Sequence, residues 1–321
     1  MGGLIFLIDN LIEKIVEKKN PTVVGLDTRL EYIPDKILRK YKKDEYMTFE
    51  EAAQAILAFN KMLIDAVYEY VPGVKVQIAY YEMYGPPGLE AFASTCRYAK
   101  EKKLIVIGDV KRNDIGSTAK AYASAYLGKT NLIDNSKEAF DLDFITVNPY
   151  LGIDGILPFI EECKTYDKGI FILVKTSNPS STDFQDLYVG EKMLYEVVAN
   201  KVSEWGKELI GKTGYSSIGA VVGATHPRQA EALRQDMPHT YFLVPGYGAQ
   251  GGSAKDICGC FDRRGLGAVV NASRSIICAY KNDKWREKFT PDQFAEAALA
   301  EVLTMQDNIN QTLEQSGKAY W

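Results

Sequence analysis

Histidine and cysteine are scarce in this chain. Its 321 residues contain two histidines, His226 and His239, and five cysteines. An odd number of irregularly spaced cysteines does not suggest a disulfide framework, and the Cys-x-Cys pair at 258–260 has no second pair or histidine cluster to complete a zinc site. We therefore expect the cysteines to be free thiols in a reducing compartment.

Long apolar runs and an excess of positive charge are also missing. No stretch approaches the roughly 18 apolar residues of a membrane helix, and Asp9 and Glu13 interrupt the apolar N-terminus before it reaches the length of a secretory signal. The 38 basic and 42 acidic residues give a net charge of −4, which argues against bulk nucleic-acid binding but leaves room for a local cationic pocket. These features predict a cytoplasmic protein with neither a membrane nor a nucleic acid as partner.

What the chain does contain is a series of eight short apolar runs rich in β-branched residues. Runs that are almost continuously apolar are typical of strands buried on both faces of a parallel sheet. The eight predicted strands are 22–27, 73–79, 104–111, 144–150, 169–177, 218–225, 241–248 and 268–274.

Helical periodicity occurs between most neighbouring strands. The predicted helices are 50–70, 89–103, 117–127, 191–209, 227–236 and a C-terminal helix, 291–309. Eight strand–helix units predict a single-domain α/β protein, a (β/α)8 TIM barrel with its core at about 20–285. A doubly wound sheet is the alternative, but it needs a glycine-rich nucleotide-binding turn after the first strand, which residues 25–30 do not provide. Polar insertions are expected at 28–50, 128–143 and 178–190.

Polar side chains recur where the predicted strands end. In this fold, chemistry takes place at the carboxyl ends of the strands. Any one of these residues could be a helix cap or a turn former, but together they predict an active site. The set is Asp27, Gln77, Asp109, Lys111, Asn148, Ser177, Thr225, Gln250, Ser273 and Arg274.

The densest of these clusters is GDVKRNDIGST at 108–118. Asp109 and Lys111 are two residues apart on a strand, so their side chains point the same way, and Asp114 follows where the chain leaves the strand. Flanking carboxylates keep a lysine charged, and such an ammonium can stabilise a carbanion and then protonate it. The alternative is a purely structural ion pair. Arg112 and Asn113 are expected to face outward or toward an interface.

A second motif, VPGYGAQGG at 244–252, follows the seventh predicted strand. Its small residues allow backbone amides to approach an anion closely. Arg274 follows the eighth strand, and the loops after strands seven and eight are the usual phosphate site of these barrels. The residues alone therefore predict an enzyme that binds a phosphorylated small molecule and uses a lysine flanked by carboxylates.

Together these motifs resemble the orotidine 5′-phosphate decarboxylase family, in its longer bacterial-type subclass. The D-x-K-x-x-D pattern is shared with related phosphosugar enzymes, but its combination with TSNPSS and PGYGAQGG is narrower. The resemblance implies conversion of orotidine 5′-monophosphate (OMP) to UMP and CO2, the last step of de novo UMP synthesis, with no cofactor and no metal. The matching segments are 23–27, 74–85, 109–114, 172–181, 244–252 and 271–276.

The resemblance also implies roles for the residues that react or lie beside the reacting atoms. Asp109 would face the substrate carboxylate, and Lys111 would stabilise and protonate the carbanion at C6. Lys75 and Asp27 would hold the ribose and join the charged network. Ser177 would bind the amide edge of the pyrimidine.

Further roles concern the phosphate and a second subunit. Gln250, Arg274 and the backbone amides of Gly251 and Gly252 would bind the phosphate. Asp114, counted with the catalytic residues, and Thr118 would reach a ribose hydroxyl across the interface of a homodimer.

Two alternative functions stay open at this point. The first is a magnesium-dependent phosphosugar decarboxylase or lyase of the same superfamily, which would need a further carboxylate near Asp109 to hold the ion. The second is a catalytically silent phosphate-binding or scaffold barrel, against which Asp109, Lys111 and Asp114 argue.

Overall fold

Eight parallel strands form a closed barrel in the computed structural model, which describes residues 6–248 and 251–318. Each strand pairs with the next along the chain, and the eighth pairs with the first. The predicted TIM barrel is confirmed. The barrel strands are β1 Thr22–Leu26, β2 Gly73–Gln77, β3 Ile105–Arg112, β4 Phe144–Val147, β5 Gly169–Lys175, β6 Ser216–Val222, β7 Thr240–Val244 and β8 Ala268–Ala272.

Helices surround this barrel and close its N-terminal end. The α-helices are α1 Leu7–Lys18, α2 Asp35–Tyr41, α3 Phe49–Val67, α4 Ala79–Glu82, α5 Gly85–Glu101, α6 Gly116–Tyr126, α7 Ile153–Tyr166, α8 Leu194–Trp205, α9 Pro227–Asp236, α10 Ala254–Ile257, α11 Arg274–Ile277 and α12 Phe294–Gln315. Short 3-10 helices lie at Leu30–Tyr32, Pro179–Asp183, Lys207–Leu209, Cys258–Cys260, Ala279–Lys281 and Pro291–Gln293. In the part of the chain that the structure describes, no helix is long and apolar enough to cross a membrane.

The barrel interior is a packed apolar core that becomes polar toward one end. Side chains alternate between the two faces of each strand, so every second residue points inward. The N-terminal end of the barrel is closed by α1, a helix that the sequence analysis did not predict; its Leu11, Ile12 and Ile15 pack on the interior cluster. The inward apolar residues in this cluster are Val23, Ile105, Ile107, Phe144, Phe171, Val221, Tyr241, Leu243 and Val269.

The outward faces of the strands pack against the helical layer. Val74 and Val76 of β2, for example, belong to the same buried cluster as Phe59 of α3. Phe59 also stacks on Phe294 of α12, with 4.6 Å between the ring centroids. At the start of α3, the Thr48 hydroxyl accepts a hydrogen bond from the backbone N–H of Glu51. These contacts fix the outer layer against the barrel and leave the carboxyl ends of the strands open.

The three predicted insertions are more structured than the sequence analysis expected. The first, at 28–50, contains a 3-10 turn and α2. The second, at 128–143, contains a short hairpin that pairs 130–131 with 136–137. The third, at 178–190, contains a 3-10 turn and the first strand of a hairpin that pairs 188–189 with 192–193.

Candidate active site

A cavity of about 660 Å³ opens at the carboxyl end of the barrel. Side chains from or just after every barrel strand line it, so the prediction that polar strand ends gather at one pocket is confirmed for most of the set. The predicted residues that line the cavity are Asp27, Lys75, Gln77, Asp109, Lys111, Ser177, Ser273 and Arg274.

A chain of alternating charges crosses the floor of this cavity. Lys75 Nζ donates to Asp109 Oδ2 at 2.8 Å and lies 3.6 Å from Asp27 Oδ1. Lys111 Nζ donates to the other oxygen, Asp109 Oδ1, at 2.5 Å. Two lysines therefore share the carboxylate of Asp109, one on each oxygen.

The environment keeps both partners of the deepest pair charged. Burial alone would raise the pKa of Asp109, but the charges of Lys75 and Lys111 outweigh it and hold this pKa far below its usual value. Burial alone would lower the pKa of Lys75, but Asp109 and Asp27 raise it well above the usual value. At neutral pH Asp109 is therefore a carboxylate and Lys75 an ammonium.

The backbone at Lys111 has an unusual conformation. Lys111 has a φ of +46°, in the left-handed region that favours glycine. The pairing of β3 with β4 shifts register between Gly108 and Arg112, so β3 bulges at this point. Bulges near active sites re-aim side chains, and here the bulge turns Lys111 into the cavity beside Asp109.

One wall of the cavity follows β5 and consists of Thr176, Ser177 and Asn178. The side chain of Gln185 holds this segment: its Oε1 accepts from the backbone N–H of Thr176 at 3.0 Å, and its Nε2 donates to the Thr176 hydroxyl at 2.7 Å. Beneath the wall, fully buried Lys175 donates to Asp186 Oδ1 at 2.6 Å. Polar groups on the third insertion thus anchor Ser177 at the pocket.

The loop after β7 and the start of α11 form a second wall. Gly246, Tyr247 and Arg274 line the cavity there. The backbone N–H groups of Gly251 and Gly252, predicted phosphate donors, donate within the loop to the carbonyls of Gly248 and Gly246 at 2.8 and 3.1 Å. Gln250 lies outside the described residues.

Four predicted site residues do not line this cavity: Gly251 and Gly252 of the loop just described, and Asp114 and Thr118 near α6. Asp114 Oδ1 accepts from the backbone N–H of Ile115 at 2.8 Å, and Thr118 is exposed near the start of α6. The cluster around Lys111 within one chain therefore contains Asp109 and Lys75 but not Asp114.

Two other strand-end residues have local structural roles. Asn148 Oδ1 accepts from the backbone N–H of Tyr150 at 3.0 Å, and the Thr225 hydroxyl donates to the Ser177 carbonyl at 3.2 Å. Arg112, expected to face outward or toward an interface, is half-buried and pairs with Glu82.

The sequence analysis missed several polar residues that line the cavity. They are Tyr32, Tyr80, Thr146, Gln185 and Asn271. Thr146 and Asn271 each follow by two residues an inward-facing residue of the same strand, Phe144 and Val269. A polar residue at such a position in an otherwise apolar run could have been predicted to face the cavity. Tyr32 and Gln185 come from insertions, whose path over the barrel no periodicity predicts.

Comparison with known proteins agrees with this geometry. Residues 43–287 match the profile of the orotidine 5′-phosphate decarboxylase / HUMPS family. The chain belongs to this family.

Individual members of the family are similar over nearly the whole chain. An orotidine 5′-phosphate decarboxylase from Caldicellulosiruptor bescii is 50% identical over 85% of this chain and 90% of its own length. One from Caldicellulosiruptor saccharolyticus is 46% identical over 94% of this chain and 97% of its own. The solved structure of Leishmania donovani OMP decarboxylase is 29% identical, covers 94% of this chain and 100% of its own, and superposes with a TM-score of 0.69.

The magnesium-dependent alternative lacks support in the site itself. Within residues 6–248 and 251–318, no group of three or more histidine, cysteine, aspartate or glutamate side chains could hold a metal ion. Both oxygens of Asp109 already accept from Lys75 and Lys111. The relatives named above are decarboxylases of OMP, in agreement with the resemblance seen in the sequence.

Proposed function

We propose that this protein decarboxylates OMP to UMP and CO2, the last step of de novo UMP synthesis. The observation that carries the proposal is the chain Asp27–Lys75–Asp109–Lys111 on the floor of a cavity that Arg274 also lines. The family membership and the names of the two Caldicellulosiruptor relatives support the same substrate.

Lys111 acts on the reacting carbon in this proposal. The bond from C6 to the carboxylate breaks, its electron pair stays on C6, and CO2 departs. The Lys111 ammonium lies beside the developing carbanion and transfers a proton to C6, which gives UMP and a neutral amine that solvent reprotonates. A fixed ammonium in a pocket of low dielectric stabilises such a charge far better than water does, and each factor of ten in rate corresponds to about 1.4 kcal/mol.

Asp109 and its partners prepare the site for this step. The Asp109 carboxylate would lie beside the substrate carboxylate and disfavour it by like-charge proximity, which CO2 loss relieves. Lys75 fixes Asp109 from below, at 2.8 Å, and Asp27 extends the network toward the ribose. The Asp109 carboxylate therefore destabilises bound OMP but not bound UMP, which has no carboxylate at C6.

The remaining substrate groups lie against the two walls. Ser177 would bind the amide edge of the pyrimidine, while Arg274, Gln250 and the amides of Gly251 and Gly252 would bind the phosphate. Because those two amides donate within the loop, phosphate binding requires the loop to exchange these hydrogen bonds. Binding energy from the remote phosphate can then contribute to catalysis.

We also infer a homodimer in the cytoplasm. Asp114 and Thr118 lie outside the cavity of their own chain. Exposed apolar side chains lie close to Asp114: Ile115 (56% exposed) follows it, and Ile153 and Leu157 belong to α7, whose Gly155 lies against the Asp114 carbonyl. Apolar patches of this kind mark interaction sites, and a symmetric partner would bring Asp114 and Thr118 to the neighbouring ribose. The five unpaired cysteines are consistent with a reducing compartment.

An absorbance assay with OMP tests the proposed activity. We expect the purified protein to convert OMP to equimolar UMP and CO2, at the same rate in EDTA as in magnesium. Orotidine without the phosphate should be a far poorer substrate and is the matched control. Absence of turnover would refute the proposal, and loss of turnover in EDTA would favour the magnesium-dependent alternative.

A further inference from the structure

The bulge in β3 removes Lys111 from the ordinary hydrogen-bond ladder. Pairing with β4 runs from Gly108 opposite Ile145 to Arg112 opposite Val147, so β3 has two more residues than β4 between these pairs. The backbone N–H of Lys111 therefore lacks a carbonyl acceptor on β4. It donates instead to the side-chain oxygen of Thr146, at 3.0 Å.

The same hydroxyl also contacts the catalytic carboxylate. Thr146 is 2% exposed, and its Oγ1 donates to Asp109 Oδ1 at 2.9 Å. Lys111 Nζ donates to that same oxygen at 2.5 Å. One hydroxyl, which has one proton to donate and two lone pairs to accept, thus joins the backbone of Lys111 to the side chain of Asp109.

Both contacts are needed because the local backbone is unfavourable without them. A lysine in the left-handed region stores strain that surrounding contacts must sustain. A buried N–H with no acceptor would add a further cost. The Thr146 hydroxyl meets both needs, and its neighbour two residues earlier on the inward face, Phe144, offers no polar group.

From this arrangement, and resting on the proposed function, we propose that Thr146 is a positioning residue for the decarboxylation. It does not react. It holds the Lys111 backbone in the left-handed conformation and keeps the Lys111 ammonium aligned with Asp109 and, through them, with C6 of the substrate.

Replacing Thr146 with valine keeps the shape but deletes the hydroxyl. We expect Thr146→Val to lower kcat by about 10- to 100-fold, because small misplacements of a reacting group have effects of that size. KM for OMP should change less than about threefold, since Ser177 and Arg274 are untouched. Thr146→Ser, which keeps the hydroxyl, should retain kcat within about fivefold.

A second readout isolates the proton transfer. By microscopic reversibility, a well-placed Lys111 should exchange the C6 proton of 5-fluoro-UMP with deuterium from D2O, and NMR can follow this exchange. Thr146→Val should slow exchange in proportion to kcat, and Thr146→Ser should restore both. Thr22→Val is the matched control, because Thr22 is a fully buried strand threonine whose hydroxyl has no hydrogen-bond partner among the described residues.

The possible results separate this inference from the proposed function. An inactive wild type would overturn both, whereas an active wild type with an unimpaired Thr146→Val would overturn the role of Thr146 alone. A lower thermal midpoint with unchanged kcat and exchange would likewise reject positioning and leave only a structural role. If the valine variant does not fold, Thr146→Ala also removes the hydroxyl, and the same changes in kcat, KM and exchange are expected of it.

Discussion

At the scale of single residues, two lysines share one carboxylate but have different exposures. The Lys75 side chain is 5% exposed and the Lys111 side chain 48% exposed, although both donate to Asp109. A buried lysine held by two carboxylates fixes the network and meets the cavity only at its edge. Lys111 is open to the cavity, so it is the one that can meet the substrate.

Replacing Lys111 with alanine tests this division of roles. We expect Lys111→Ala to lose at least about a thousandfold in kcat, about 4 kcal/mol, because both carbanion stabilisation and the proton donor are removed. Binding of UMP, measured by calorimetry, should survive, since UMP has no C6 carboxylate and the contacts on the other walls remain.

The matched control for this variant is Lys103→Ala. Lys103 is another lysine with a positive φ, +61°, but it is exposed and precedes β3 at the far end of the barrel. It should keep full turnover. Near-normal activity of Lys111→Ala would show that some other group supplies the proton.

The direction of a side chain was predictable where it followed from the alternation of residues along a strand. Asp109 and Lys111 were expected on the same side because they are two apart, and both line the cavity. The bulge that directs Lys111 into the cavity was not predictable, because the residue with the left-handed backbone is a lysine and not a glycine. Thr146 was missed because a threonine within an apolar run is also an ordinary strand former.

At the scale of elements, the barrel strands were predictable and some helices were not. Each of the eight apolar runs overlaps a barrel strand, since burial on both faces leaves a continuous apolar pattern. Helix α7 was missed, and its sequence contains Gly155 and Pro158, which weaken a helical pattern. Helix α1 was also missed, because Asp9 and Glu13 interrupt its apolar residues and Asp9, although charged, is buried.

A buried ion pair anchors the third insertion together with the hydrogen bonds of Gln185. Lys175, at the end of β5, is fully buried, while its partner Asp186 keeps 26% exposure. Lys175 Nζ also lies 5.4 Å from the centroid of the Tyr195 ring. Removing one partner of a buried pair is costly because the other charge stays behind without compensation.

Asp186→Asn should therefore destabilise the protein by about 3 kcal/mol, the lower end for breaking a buried pair, because Asp186 is partly solvated. Urea unfolding measures this loss, and KM for OMP should rise as the wall around Ser177 loosens. Asp183→Asn, in the same insertion but at an exposed position, is the control. The double variant Lys175→Met with Asp186→Asn should recover stability; failure to recover it would mean that the pair does not anchor the insertion.

At the scale of the whole molecule, one chain gathers most of the predicted site but not all of it. The barrel brings residues from all eight strands to one cavity, as closure of a parallel sheet requires. Asp114 and Thr118 remain outside that cavity, and Asp114 lies near exposed apolar side chains. This placement is what a site shared between two subunits would require, and the sequence alone had no pattern that located the interface.

Mixing two inactive variants tests the shared site. If Asp114 serves the neighbouring cavity, a heterodimer of Lys111→Ala and Asp114→Ala contains one cavity with both an intact Lys111 and an intact Asp114. Random reassociation of equal amounts gives half heterodimers, each with one intact site of two, so activity should return to about a quarter of the wild-type value. Lys111→Ala mixed with Asp109→Asn is the control, since both changes fall on residues of the same cavity and no intact site can form. If subunit exchange is verified with distinguishable tags and no activity returns, Asp114 does not act across an interface.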